Sequence, residues 1–249
     1  MINDTIRDVS ITFLTEDTGI IVACDSSAAI GLKEADSVLA APEITSAFCL
    51  RVALMEILAI GGIPKIVVDT IGGEMEPTGT RMITGIQNEL IKAGLTDVMI
   101  NGSTEENMET KMTSIGVTVV GTVQKNQLRY GTTLAESTLY QVGEPLLGAD
   151  VLEHRDAIFT YQDLAEIQQK THVLELLPVG SKGVAYEAEQ LARSSGLHII
   201  FDKTEYEDTR SAGPATVLLV AVEKGRVLRL TNKKIAVKKI GYFTKEQLI

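Results

Sequence analysis

Four segments of the chain gather carboxylates, hydroxyls, lysines and glycines in a pattern suited to phosphate and magnesium chemistry. The first is Asp25-Ser26-Ser27-Ala28-Ala29-Ile30-Gly31-Leu32-Lys33. The second is an apolar stretch that carries Arg51 and Glu56 and ends in Gly61-Gly62-Ile63-Pro64. The third is Gly102-Ser103-Thr104-Glu105-Glu106-Asn107, and the fourth is Gly180-Ser181-Lys182-Gly183. Mg²⁺ is a hard cation that takes carboxylate oxygens and keeps several waters, so acids on separate loops can bridge it to a polyphosphate. Gly and Ser backbone amides, with Lys as a point charge, cradle phosphate oxygens. A helix that starts near Gly183 adds partial positive charge. Glu56 is the most telling single residue, because a lone carboxylate on a buried helix is costly unless it is paired or metal-bound. Each residue also has a plainer use. Glu56 can pair with Arg51, and Asp25-Ser26 and Asn101-Gly102-Ser103 can simply make turns. Ser181-Lys182-Gly183 can cap a helix, and Glu105 and Glu106 can be solvated. Their common placement at strand ends is what favours a shared site.

The elements that must position these residues read as a mixture of strands and helices. Asp8 to Phe13 alternates like a half-buried strand. Ile20 to Cys24 is a short buried strand that delivers Asp25, Ser26 and Ser27 into a loop. Pro42 and Glu43 suit the first turn of a helix that runs to about Ile60 and stops at Gly61-Gly62. That helix is apolar nearly all round and should be buried. Strands are expected at Lys65 to Ile71, Val98 to Ile100 and Val117 to Val123, with a helix from Thr78 to Ala93 on the Met82, Ile86, Leu90 period. The polar stretch Lys125 to Thr132 looks like a linker. Beyond it, strands are expected at Leu139 to Val142, Val173 to Leu177, His198 to Phe201, Ala215 to Val222, Arg226 to Leu230 and Ile235 to Ile240. Helices are expected at Tyr161 to Lys170, capped by Thr160, and at Val184 to Ser194. The expected class is α/β (α+β), with domains at 1–124 and 125–249.

Composition narrows the function classes. The chain has 249 residues, 45% of them hydrophobic and 22% charged, which suits a globular protein with its own core. The longest clean apolar run, Val217 to Val222, is strand-sized, so no membrane span is expected. The first residues lack a basic segment followed by an apolar one, so no secretory signal is expected either. A net charge of −10 argues against general nucleic-acid binding. The segment from Lys224 onward is an exception, with eight basic residues and one acid; it reads as a solvated sheet face or as an attraction for a phosphate-bearing ligand. Cys24 and Cys49 are expected to be buried, reduced thiols in a cytoplasmic protein, and three scattered histidines make a zinc site improbable. Gly116 to Thr122 has P-loop glycine spacing but no lysine, and no GxGxxG or GxSxG is present. His154-Arg155-Asp156 imitates a kinase catalytic loop without the asparagine it needs.

The stretch Ala53-Leu54-Met55-Glu56-Ile57-Leu58-Ala59-Ile60-Gly61-Gly62-Ile63-Pro64 resembles the VNDLxxxGAxP helix of the aminoimidazole ribonucleotide synthetase superfamily, the PurM-like proteins. Asp25 with Gly31-Leu32-Lys33 looks like that superfamily's DGxGTK segment, and Gly102-Ser103-Thr104 stands where its members carry GET or GDT. Ser211-Ala212-Gly213-Pro214-Ala215-Thr216 is similar to their SxGPAT. Glu56 replaces the usual Asp, Met55 the usual Asn, and Ser103 the usual acid. Ser181-Lys182-Gly183 stands where thiamine-monophosphate kinase has an acidic SDG. Cys24 to Lys33, Arg51 to Ala59, Glu74 to Gly79, Asn101 to Asn107 and Leu177 to Ala188 together look most like the α-ribazole kinase branch, with Ala28-Ala29 in place of glycines.

The resemblance implies an N-terminal α/β domain that pairs with its twin in a homodimer, strands of both copies closing a barrel, and a smaller C-terminal α+β domain. It implies ATP and Mg²⁺ as cofactors and transfer of a phosphoryl group to a small alcohol, α-ribazole, for cobalamin salvage. Asp25, Glu56 and Glu105 or Glu106 would hold the metal. Ser26, Ser27, Gly31, Lys33, Gly102, Ser103, Thr104 and Asn107 would hold the nucleotide. Lys33 and Lys182 would neutralise the transferred group, and Glu74, Glu76 and Ser181 would contact the alcohol. Glu74 and Glu76 face one side if that segment is extended, and could equally end a solvated strand. Another ATP-using enzyme of the superfamily, or a non-catalytic nucleotide-binding protein, would carry the same motifs.

Overall fold

The computed structural model describes residues 3–202 and 209–246, and the chain divides into two compact units, Met1–Gln127 and Leu128–Ile249. In the first unit β1 (Asn3–Ile6), β2 (Val9–Phe13) and β3 (Thr18–Ala28) form an antiparallel meander. The short strands β4 (Ile30–Gly31) and β5 (Val38–Leu39) follow, then α1 (Pro42–Ala59), β6 (Ile63–Ile71), α2 (Thr80–Lys92), β7 (Met99–Thr104) and β8 (Ser114–Gln124). The main sheet has the order β1-β2-β3-β8-β6-β7 and is open at both edges.

β8 decides where the candidate residues sit. It is eleven residues long and pairs with β3 from Thr18 to Ala28 without a break. Asp25, Ser26 and Ser27 are therefore strand residues, not the loop expected of them: a full-length partner keeps their backbone groups in the ladder. Asn101 to Thr104 are likewise strand, paired in parallel with Val68 to Ile71.

α1 starts with Pro42 at its first position and has no side-chain cap. It packs on β3 and β8 along the sheet face that carries Ile21, Ala23, Val117 and Val119, all buried. It ends at Gly61, whose φ of +91° favours glycine and whose added Cβ would meet Gln127 O at 2.4 Å. α2 lies against α1: Ser46 Oγ donates to Met82 O at 2.8 Å, and Arg81 grips Glu43 through two bonds of 2.7 and 2.9 Å. The segment before α2 is an irregular turn over Met75–Gly79, within which Glu76 keeps an extended backbone.

The second unit holds β9 (Thr138–Val142), α3 (Ala149–Glu153), α4 (Tyr161–Gln168), β10 (Val173–Pro178), α5 (Gly183–Ser194), β11 (His198–Phe201), β12 (Leu218–Val222) and β13 (Val237–Thr244). Its sheet is antiparallel, in the order β10-β12-β9-β13-β11. α5 contributes Val184, Ala188 and Leu191 to a core with Leu139, Leu177, Leu219 and Phe243. Thr160 and Asp163 form a reciprocal capping box at the start of α4. The strand expected at Arg226 to Leu230 does not form. β12 already has β10 and β9 on its two sides, so no edge remains for a hairpin partner. The chain after it is tied to α4 instead, with Thr231 N donating to Glu166 at 3.1 Å.

Candidate phosphate-binding site

β3 and β6 both run antiparallel to β8, and β7 runs parallel to β6. The carboxyl ends of β3, β6 and β7 therefore meet at one edge of the sheet, beside the start of β8. Register places Ser26 opposite Gly116, Gly116 opposite Thr70, and Thr70 opposite Ser103. This row forms part of a concavity of about 570 Å³. Ser27, Thr104 and Ser114 add three more hydroxyls, while Gly72 and Gly116 keep its wall low. A Cβ at Gly116 would lie 2.7 Å from Thr70 Oγ1, so any side chain there would intrude on the row. Glu105 is the one carboxylate among its lining residues. Hydroxyl donors over exposed backbone suit anionic or sugar oxygens, which accept several short bonds at once.

Three loops frame this edge and are tied to one another. Asp36 accepts bonds from Lys33 N, Thr113 N and Thr113 Oγ1 at 2.7 to 2.8 Å. Those bonds outweigh its burial and hold its carboxyl below the usual range. Lys33 Nζ donates to Glu74 Oε2 at 2.5 Å and to Thr110 Oγ1 and O at 2.7 and 3.1 Å. Glu74 also accepts from Thr78 Oγ1. Burial alone would raise the Glu74 pKa, but Lys33 and Thr78 bring it below the ordinary value. Glu105 accepts from Asn107 N at 2.7 Å and Met108 N at 3.2 Å, and the first of these bonds chiefly holds its carboxyl low. Glu106 accepts from Met75 N at 2.6 Å and Thr104 Oγ1 at 3.1 Å.

The structure thus brings Ser26, Ser27, Ser103, Thr104 and Glu105 together around one concavity. Gly31, Lys33, Glu74, Glu106 and Asn107 lie in its framing loops. A Cβ at Gly31 would fall 2.1 Å from Thr113 Oγ1, so this glycine serves the Asp36 tie. Glu76 accepts from Thr80 Oγ1 at 2.5 Å, whereas Glu74 is held by Lys33 and Thr78, so the two carboxylates have separate partners. Ser181 and Lys182 belong to the second unit, where Lys182 Nζ donates to Tyr186 Oη at 3.1 Å and sits 4.3 Å from the ring centroid.

The four acids expected to hold magnesium are not gathered. Asp25 alternates away from the Ser26 row and lies beside Cys49 on α1. Burial raises the pKa of both groups. Glu56 comes seven residues after Cys49, about 10 Å further along α1 at the helical rise. Glu105 and Glu106 are occupied with loop N–H groups. Among the described residues no group of three or more His, Cys, Asp or Glu could hold a metal ion. A preformed protein cage for magnesium does not fit these residues.

Sequence reasoning missed Thr70, Ser114 and Gly116, which look like ordinary strand residues until register is known. Gly72-Gly73 directly after an apolar strand was a usable signal. Asp69 was also missed. It is 2% exposed, and a Cβ at the neighbouring Gly102 would lie 2.4 Å from its carboxylate. Gly102 therefore makes room for a buried acid. Burial raises the Asp69 pKa against one bond from its own backbone. A raised folded pKa means that wild-type stability falls as pH rises from the unfolded carboxylate value, about 3.9, through the folded one. Asp69→Asn should therefore raise stability at pH 7 by about 1–2 kcal/mol, and the gain should vanish below about pH 3.9. Urea unfolding of both forms at several pH values measures this.

No protein-family model matches the chain, and no curated protein does. Solved structures do. Phosphoribosylformylglycinamidine synthase II from Thermotoga maritima superposes with a TM-score of 0.61 at 17% identity, over 95% of this chain and 37% of that one. This chain therefore spans little more than a third of the synthase. Thiamine monophosphate kinase from Aquifex aeolicus superposes with a TM-score of 0.63 at 16% identity, over 92% of this chain and 85% of the kinase. The same kinase with AMPPCP and TMP gives 0.62 at 16%, over 96% and 85%. The chain thus shares the mixed α/β fold of these two enzymes, with a six-stranded sheet in the first unit and a five-stranded one in the second. Among the described residues no helix is long and apolar enough to cross a membrane.

Proposed function

We propose that this chain is an ATP-dependent kinase that phosphorylates the 5′-hydroxyl of α-ribazole, giving α-ribazole 5′-phosphate. The observation that carries the proposal is the hydroxyl- and glycine-lined concavity at the carboxyl ends of β3, β6 and β7, beside Lys33. Phosphoryl transfer needs positioning and charge stabilisation more than covalent chemistry, so such a site suffices without a strong visible base. Ser26, Ser27, Ser103 and Thr104 would hold phosphate oxygens, and Lys33 would meet the polyphosphate charge. Support for a nucleotide comes from the fold, shared with a thiamine monophosphate kinase solved with AMPPCP and a T. maritima synthase solved with ATP. Support for the acceptor is the set of motifs that resemble the α-ribazole kinase branch.

A homodimer belongs to the same reading. The sheet face opposite α1 carries half-buried Ile20, Val22, Val68 and Val120, an apolar surface suited to a second copy. Magnesium would arrive with the nucleotide, as it commonly does when bound through one or two carboxylates and phosphates. A coupled ADP-release assay with ATP, magnesium and α-ribazole tests the reading, with thiamine monophosphate as the competing acceptor. ADP release that depends on α-ribazole is the expected result. Turnover with thiamine monophosphate alone would move the acceptor assignment, and nucleotide binding without transfer to either would remove the kinase assignment.

A further inference from the structure

Lys33 sits in the segment expected to meet phosphate, yet its ammonium is already saturated. It has three donors, and they go to Glu74 Oε2, Thr110 Oγ1 and Thr110 O. The pair is sheltered, with side-chain exposures of 15% for Lys33 and 36% for Glu74. Gly73 lets the ammonium lie against its backbone, since a Cβ there would be 3.0 Å from Lys33 Nζ. Its neighbour Gly72 lines the concavity, and Gly73 O accepts from the N–H of Glu105, which lines it too. The lock thus stands one residue behind the wall of the site. A phosphate can reach Lys33 only if one acceptor yields. Thr110 offers neutral acceptors on a loop already tied to the β4–β5 segment through Asp36 and Thr113. Glu74 holds the competing negative charge and has Thr78 Oγ1 to retain it after release.

We infer that the Lys33–Glu74 ion pair is a lock opened by polyphosphate, and that the released Glu74 carboxylate is the base that receives the acceptor's hydroxyl proton. The inference rests on the reading of this chain as an ATP-dependent kinase. The γ-phosphate oxygens take Lys33, and Glu74 becomes available. The acceptor oxygen then bonds to the γ-phosphorus as its bond to the β–γ bridging oxygen breaks. ADP leaves with that electron pair, and the hydroxyl proton passes to Glu74. Nucleotide therefore binds before the alcohol is activated, and Glu74 opposes nucleotide binding while serving turnover.

That opposition gives an unusual test. Apparent affinity is reduced by the fraction of molecules that are not binding-competent, so removal of the competing charge should tighten nucleotide binding. Calorimetric titration of the full-length protein with AMPPCP and magnesium should show Glu74→Gln binding about tenfold more tightly than wild type. Its kcat with α-ribazole should fall about 10²-fold and lose the acidic limb of its pH profile. Glu74→Asp keeps the charge at shorter reach and should tighten binding less while retaining part of the turnover. Unchanged or weaker AMPPCP binding in folded Glu74→Gln, or in Glu74→Asp should Glu74→Gln not fold, overturns the lock while leaving the kinase reading in place. A wild type that binds AMPPCP and is tuned by Glu74, yet transfers phosphate to no alcohol, overturns the base assignment and the kinase reading together.

Discussion

Glu175→Ala should destabilise the second unit by about 3–5 kcal/mol. Glu175 is 0% exposed in β10. Its carboxylate accepts the N–H groups of Gly131, Thr132 and Thr133 at 3.0 to 3.1 Å and the Thr133 hydroxyl at 2.6 Å. The Ser194 and Ser195 hydroxyls also lie within 3.4 Å. One side chain thus satisfies the backbone of the segment that enters the second unit and joins it to the end of α5. Removing it leaves the hydroxyl of buried Thr133 without this acceptor and unties the N–H groups of Gly131 and Thr132. Glu175→Gln keeps the shape but replaces one acceptor with a donor, so it should recover only part of the loss. Urea unfolding followed by circular dichroism compares the three proteins. A loss below about 1 kcal/mol for Glu175→Ala would mean that solvent replaces the carboxylate with ease.

Lys33→Met should lower kcat/KM for phosphoryl transfer by about 10²–10³-fold, the scale of losing one preorganised charge from a transferring phosphoryl group. The methionine fills the stem of the site but gives neither a charge for the phosphate nor a partner for Glu74. Nucleotide affinity should fall as well, which separates this variant from Glu74→Gln, where affinity rises and turnover drops. Steady-state ADP release with titrated ATP measures both quantities. Full activity in Lys33→Met would confine Lys33 to its structural bonds with Glu74 and Thr110.

The parts of the fold legible in the sequence were those with strong local signals. The all-round apolarity of Pro42 to Ala59, its leading proline and the glycine at 61 specified a buried helix and its end. The helical period of Met82, Ile86 and Leu90 placed α2, and Thr160 marked a real cap. What local signals could not carry was register. Ser26 and Ser103 looked like loop residues because they are polar and stand beside glycine or small residues. They are strand residues because β8 runs long enough to pair them. The concavity exists because Ser26, Gly116, Thr70 and Ser103 fall in one row across four strands, and such a row is fixed only when the strands pair.

The same reasoning explains the acids. Spacing and resemblance grouped Asp25, Glu56, Glu105 and Glu106, but strand alternation sends Asp25 to the α1 side, and the helical rise carries Glu56 away from it. Glu105 holds its own loop, and Glu106 ties that loop to Met75 N in the turn before α2. Lys33 and Glu74 are 41 residues apart, and nothing in either neighbourhood announces their ion pair. It becomes visible only when the loops are folded back over the sheet edge.

The most direct measurement is ³¹P NMR of the full-length protein with ATP, magnesium and α-ribazole. A new phosphomonoester signal that grows in step with the β-phosphate of ADP, and is absent without α-ribazole, is the outcome expected of an ATP-dependent α-ribazole kinase. Nucleotide signals that stay unchanged over hours, with folded protein shown to bind AMPPCP, would contradict it.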